Sequence, residues 1–63
     1  MAKKKILVKS SAGTKDFTWD SRYCDLSEYR DGKIGSASSL EDAISLAKAH
    51  TGGSYPQVTV KDA

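Results

Sequence analysis

Seventeen residues of this 63-residue chain are apolar and larger than alanine. That supply of packing material limits the fold more than any other feature. A chain this short buries only about 60% of the surface it exposes when unfolded. Seventeen such side chains fill one thin core of two layers at most, worth roughly 3–5 kcal/mol net. The expectation is one domain over residues 1–63, with no enclosed pocket for a large cofactor.

One segment carries a helical pattern. Leu40, Ala43, Ile44 and Ala47 fall at i, i+3, i+4 and i+7, a single apolar stripe. Ser38 through Glu41 reads as a capping box, with Ser38 as N-cap and Glu41 at N3. Glu41 and Asp42 lie at the positive end of the helix dipole, Lys48 and His50 at the negative end. Thr51-Gly52-Gly53 supplies the stop. The spacing predicts a helix over about 39–50, and the small Ala43 and Ala47 let it lie close to a sheet.

The rest reads as strands. Lys3 to Lys9 places Ile6 and Val8 on one face and Leu7 on the other. Lys15 to Asp20 alternates Phe17 and Trp19 with Asp16, Thr18 and Asp20, the period of a half-buried strand. A five-residue loop, Ser10 to Thr14, joins the two as a hairpin. Gln57 to Lys61 is the last strand, with Val58 and Val60 on one face and Pro56 tolerated at its start.

Residues 21–36 admit two readings. Asp31-Gly32 between Tyr29-Arg30 and Lys33-Ile34 signals a two-residue hairpin, in which Arg30 faces Lys33 and Tyr29 faces Ile34. The competing reading is a helical turn from Leu26 to Arg30, capped by Asp25 and Glu28 and ended by Gly32. The hairpin is preferred. The fold class is therefore α+β: a small antiparallel or mixed sheet of three to five short strands with one helix packed on one face.

Charge and cysteine content narrow the function classes. Ten Lys/Arg against eight Asp/Glu give +2, short of the basic extreme of a dedicated nucleic-acid binder. One cysteine, Cys24, makes no internal disulfide and favours a reducing, cytoplasmic setting. The apolar run Ile6-Leu7-Val8 is too short for a signal peptide or a membrane helix, so no membrane association is expected.

Three constellations could carry chemistry. Lys3, Lys4 and Lys5, continued by Lys9 and Lys15, would suit phosphate contacts. The same lysines also serve as guards against edge-to-edge pairing beside an apolar run, which is the preferred reading. Trp19, Arg22, Tyr23 and Arg30 interleave aromatic with basic character, as a surface that stacks on single-stranded bases would. Phe17 and Trp19 are, however, the best core candidates, while Tyr23, Tyr29 and Tyr55 read as outward or rim residues. Cys24 and His50 are the only cysteine and histidine. They do not provide the four paired ligands of a structural zinc site, and nothing marks them as a nucleophilic pair. No acid pair stands out, and neither Asp31-Gly32 nor Gly52-Gly53 forms a phosphate-binding loop. No catalytic, metal or cofactor-binding residue is assigned, and an enzyme is not expected.

The stretch Ile34-Gly35-Ser36-Ala37-Ser38-Ser39-Leu40-Glu41-Asp42-Ala43 resembles the strand-to-helix junction of AP2-type domains and their phage-integrase relatives. That resemblance implies a sheet packed on one helix, used by that family to lie in the DNA major groove. The arginine- and tryptophan-rich strands of that family are not matched by Asp16 to Tyr23, so no base-contacting residue carries over. The element order also resembles short uncharacterised bacterial and phage β-β-α-β domains, for which no activity is implied.

These readings lead to a small intracellular protein-interaction or accessory module. It would use an open sheet face or a strand edge and engage a protein partner or a second copy. The alternative is a nucleic-acid-binding module using the basic residues of the N-terminal strands. Leu7, Tyr23, Cys24, Leu26, Leu46 and Tyr55 decide part of the matter. Gathered on the uncovered sheet face they would demand a partner; folded into the core they would not.

Overall fold

The computed structural model describes residues 3–62. The elements are β1 (Lys3–Ser10), β2 (Gly13–Asp20), β3 (Asp25–Glu28), β4 (Gly32–Ser36), α1 (Leu40–Thr51) and β5 (Gln57–Asp62). The strands form one five-stranded sheet in the order β4-β3-β2-β1-β5. Each pairs antiparallel with its neighbour. The first four strands make a meander. The chain then leaves one edge at β4, crosses the sheet as α1 and returns at the opposite edge as β5.

Alternation sorts the side chains into two faces. Ile6 and Val8 of β1, Phe17 and Trp19 of β2 and Leu26 of β3 point to the helix, which contributes Ala43 and Ala47; Ala37 completes the buried core. Ala43 and Ala47 have no exposed surface, so the helix backbone sits close against β1 and β2, its main contacts. Leu40, Ile44, Leu46, Ile34 and Val58 flank that core half-buried. Leu46 lies over β4, where a Cβ added at Gly35 would sit 3.5 Å from its Cδ1.

Several boundaries differ from the sequence expectation. The N-cap is Ser39, not Ser38; its side chain accepts the Asp42 N–H, so Asp42 rather than Glu41 stands at N3. Ser38 donates instead to the Asp42 carboxylate. The β1–β2 loop is two residues long, because pairing continues to Ser10 and Gly13. Gly13 at φ 121° permits that tight reversal.

Residues 21–36 form a hairpin, as preferred, but not in the expected register. Glu28 faces Gly32 and Ser27 faces Lys33, leaving Tyr29-Arg30-Asp31 as a three-residue loop. Arg30 and Lys33 therefore never meet across the pair. A bulge between Leu26 and Ser27 shifts the register, so Ile34 is left without a direct partner and flanks the core.

The helix stops at Gly52 (φ 73°), whose N–H bonds the Lys48 carbonyl. Gly53 follows at φ 79° against the β1–β2 turn. A Cβ there would lie 2.6 Å from the Ala12 nitrogen. Three hydrogen bonds hold this junction: Ser10 Oγ to the Gly52 carbonyl, Ser11 N–H to the Ser54 carbonyl, and Ser54 N–H to Ser11 Oγ.

Candidate interaction surface

The six residues left open by the sequence reading do not gather on the uncovered face. Leu26 is fully buried and Leu46 packs against the core. Tyr23 and Tyr55 sit exposed in loops, and Cys24 is half-buried at the β2–β3 turn. Only Leu7 among them lies on the uncovered face, half-buried between Asp16 and Thr59. That face is otherwise polar: Lys3, Lys5 and Lys9 of β1, Thr14, Asp16, Thr18 and Asp20 of β2, Asp25 and Ser27 of β3, Lys33 of β4, and Gln57, Thr59 and Lys61 of β5. A shallow hollow of about 110 Å³ opens beside Leu7, rimmed by Lys5, Asp16, Thr59 and Lys61.

The candidate surface residues from the sequence are dispersed, and the edge-guarding role preferred for the lysines does not apply. β1 pairs on both sides, with β2 and β5, and β2 with β3 and β1, so Lys3, Lys4, Lys5, Lys9 and Lys15 lie on interior strands. Lys3, Lys5 and Lys9 share the uncovered face. Lys4 and Lys15 point to the helix side, opposite Trp19 and Val8 respectively. Lys4 forms an ion pair with Asp62 that joins the start of β1 to the end of β5. That hydrogen bond, and then the nearby ammonium charge, hold the Asp62 carboxyl below its ordinary value. Arg22 and Tyr23 occupy the β2–β3 turn, where Asp20 accepts the Arg22 N–H. Arg30 sits in the β3–β4 turn at the other end of the sheet.

Trp19 is a correction to the candidate list. It is only 8% exposed, and its Nε1 donates to the Ala37 carbonyl. The ring is committed to the core because the helix covers β2, so it offers no stacking face to a base.

The two edges differ in kind. The β4 edge contains Gly32, Lys33 and Gly35 and is distorted by the bulge, three devices that discourage strand addition. The β5 edge is regular over six residues. Its run Gln57-Val58-Thr59-Val60 is uncharged and rich in β-branched residues. Gln57, Thr59 and Val60 are exposed and Val58 half-buried, and Val60 retains 37% of its surface in solvent. Sequence reasoning placed this strand correctly but did not single it out. The signal was local, an uncharged β-forming run, yet its edge position depends on pairing with residues some fifty positions earlier.

One side-chain cluster was also not anticipated. Glu28 is 6% exposed; its Oε2 accepts the N–H groups of Arg30 and Asp31, both at 2.7 Å. Asp31 Oδ2 lies 3.0 Å from His50 Nε2, and the imidazole meets the Phe17 ring edge-on at 5.8 Å. Ligand atoms of Glu28, Asp31 and His50 lie within 4.8 Å of one another, close enough to share a divalent cation. Every contact they make here is internal: they lock the β3–β4 turn and tie it to the helix end. Cys24 lies at the opposite end of β3 from this group.

Among the described residues no helix is long and apolar enough to cross a membrane. Comparison with protein-family models, curated proteins and solved structures returns no match.

Proposed function

We propose that this chain is a small protein-interaction module that binds by adding a strand to its β5 edge. The observation that carries the reading is the contrast between edges. β4 is interrupted by two glycines and a bulge and carries Lys33 near its start, while β5 pairs regularly over six residues and is uncharged from Gln57 to Val60, its charges Lys61 and Asp62 standing at its end. An unpaired strand edge is a row of backbone donors and acceptors, and an extended segment alongside satisfies them. Alternate side chains of the incoming strand would meet Val58 and Val60 on the helix side, and Thr59 and Lys61 on the other.

The test is site-specific photo-cross-linking in the native cells. A photoreactive residue at Thr59 should give discrete adducts, whereas one at Ser27, on the interior strand β3 remote from the β5 edge, should give none. Equal labelling at both positions, or none at Thr59, overturns the reading.

A second reading, nucleic-acid binding, is favoured by one observation: Lys3, Lys5, Lys9 and Lys61 share the uncovered face, with Lys5 directly opposite Lys61. Like charges facing across a pair are unfavourable in isolation and would be relieved by an anion. Retention of DNA or RNA at low salt, lost on replacing Lys5 and Lys61 by alanine, would support it. Indifference to those replacements would remove it.

A further inference from the structure

Resting on the strand-addition reading, we infer that the segment that fits the β5 edge is β5 of a second copy, paired antiparallel about a two-fold axis through Thr59. Directly opposed residues of an antiparallel pair lie on the same face. Around Thr59, Val58 of one copy faces Val60 of the other, Gln57 faces Lys61, and the two Thr59 side chains meet on the axis. Apolar thus meets apolar on the helix side and polar meets polar on the open side.

The neighbouring registers match poorly. An axis at Val60 sets Val58 against Asp62, and an axis at Lys61 opposes two lysines. An axis at Val58 shortens the pairing and opposes Pro56, which has no N–H to give, to Val60. The Thr59 register also covers the exposed flank of Val60. It closes about four to six backbone hydrogen bonds on the otherwise open edge.

The helices leave room for it. Because α1 packs mainly on β1 and β2, strand spacings of about 4.8 Å put the two helix axes about 19 Å apart across the dimer. Helices are about 10–12 Å wide, so a trough remains between them, floored by Val58 and Val60 of both copies. The product is one ten-stranded sheet. The contact is narrow, well below a standard obligate interface, so association should depend on concentration.

Sedimentation equilibrium from micromolar to millimolar protein tests this. The native chain should move from monomer to dimer, and Thr59→Lys, which sets two ammonium groups on the axis, should remain monomeric. Thr59 is exposed, and circular dichroism checks that the variant is folded. The register has its own readout in a Cys24→Ser background. There, Thr59→Cys should oxidise to a covalent dimer, while Lys61→Cys, whose counterpart is Gln57, should not. A native chain that stays monomeric, a Thr59→Lys variant that dimerises equally well, or faster cross-linking at position 61 overturns the inference. A synthetic Gln57–Asp62 peptide separates this from the broader reading. If a photoreactive residue at Thr59 gives adducts with other proteins in cells while the native chain stays monomeric and the peptide leaves β5 amide resonances unmoved, self-pairing fails and strand addition survives.

Discussion

The indole Nε1 of Trp19 donates a 2.9 Å hydrogen bond to the carbonyl of Ala37, the buried residue between β4 and α1. One side chain thus fills the core under the helix and also satisfies a backbone acceptor at the point where the chain leaves the sheet. Trp19→Phe keeps an aromatic ring but leaves that acceptor unpaired. The expected loss is about 1–3 kcal/mol, a large share of what a domain of this size possesses. Urea unfolding followed by far-UV circular dichroism measures it. A loss within error of zero would show that the carbonyl finds another donor.

Gly53 and Gly32 share nearly the same positive φ, 79° and 77°, in different surroundings. A Cβ at Gly32 meets nothing within 4 Å, whereas one at Gly53 would collide with Ala12 and Ser10. Gly32→Ala should cost only the conformational penalty of about 1–2 kcal/mol. Gly53→Ala should cost clearly more, because the β1–β2 turn must also move. Paired thermal melts decide between this outcome and equal losses.

Glu28 is a carboxylate on the core face of β3 because the β3–β4 turn needs its acceptor. Glu28→Ala removes both bonds to Arg30 and Asp31 and should destabilise by about 2–3 kcal/mol. Glu28→Gln keeps one carbonyl oxygen and should cost less. Amide exchange at Arg30 and Asp31 should accelerate in both variants, most in the alanine one. Unchanged exchange would mean that the turn is held by its other contacts, such as the Tyr29 N–H bond to the Asp16 carbonyl.

The Lys4–Asp62 pair gives an acid-sensitive link between β1 and β5. Its folded carboxyl pKa lies below the ordinary 3.8. The pair therefore contributes fully above that value and is lost as pH falls through the depressed folded pKa. Asp62 is exposed, so the contribution is small and weakened by salt. Comparing the native chain with Asp62→Asn, the stability difference should shrink on acidification and at high ionic strength. A difference independent of both would exclude an electrostatic origin.

The helix was legible because its determinants are local. The stripe of Leu40, Ala43, Ile44 and Ala47, the acidic first turn and the glycine stop all act within a few residues. The one-residue slip in the N-cap arose because Ser38 and Ser39 are chemically equivalent candidates, and only the direction of the chain leaving β4 selects Ser39. The β3–β4 hairpin was legible as a hairpin. Its register was not, because the buried Glu28 and the bulge at Leu26 outweigh the local preference of Asp31-Gly32 for a two-residue turn. The dispersal of the lysines was hidden for a related reason. Lys3, Lys4 and Lys5 are contiguous in the chain, but strand alternation sends Lys4 to the opposite face from its neighbours.

Periodicity, capping and the scarcity of large apolar residues by themselves determined an α+β chain with one helix over one sheet face. Those signals act over a turn or a hairpin, where a side chain and its partner are close in sequence. Only the tertiary structure decided that β5 inserts beside β1 and so becomes an edge, that β4 forms the other edge, and that Glu28, Asp31 and His50 meet. Each of these depends on contacts between distant segments, whose energy comes from the assembled core. Local preference alone does not rank the alternatives.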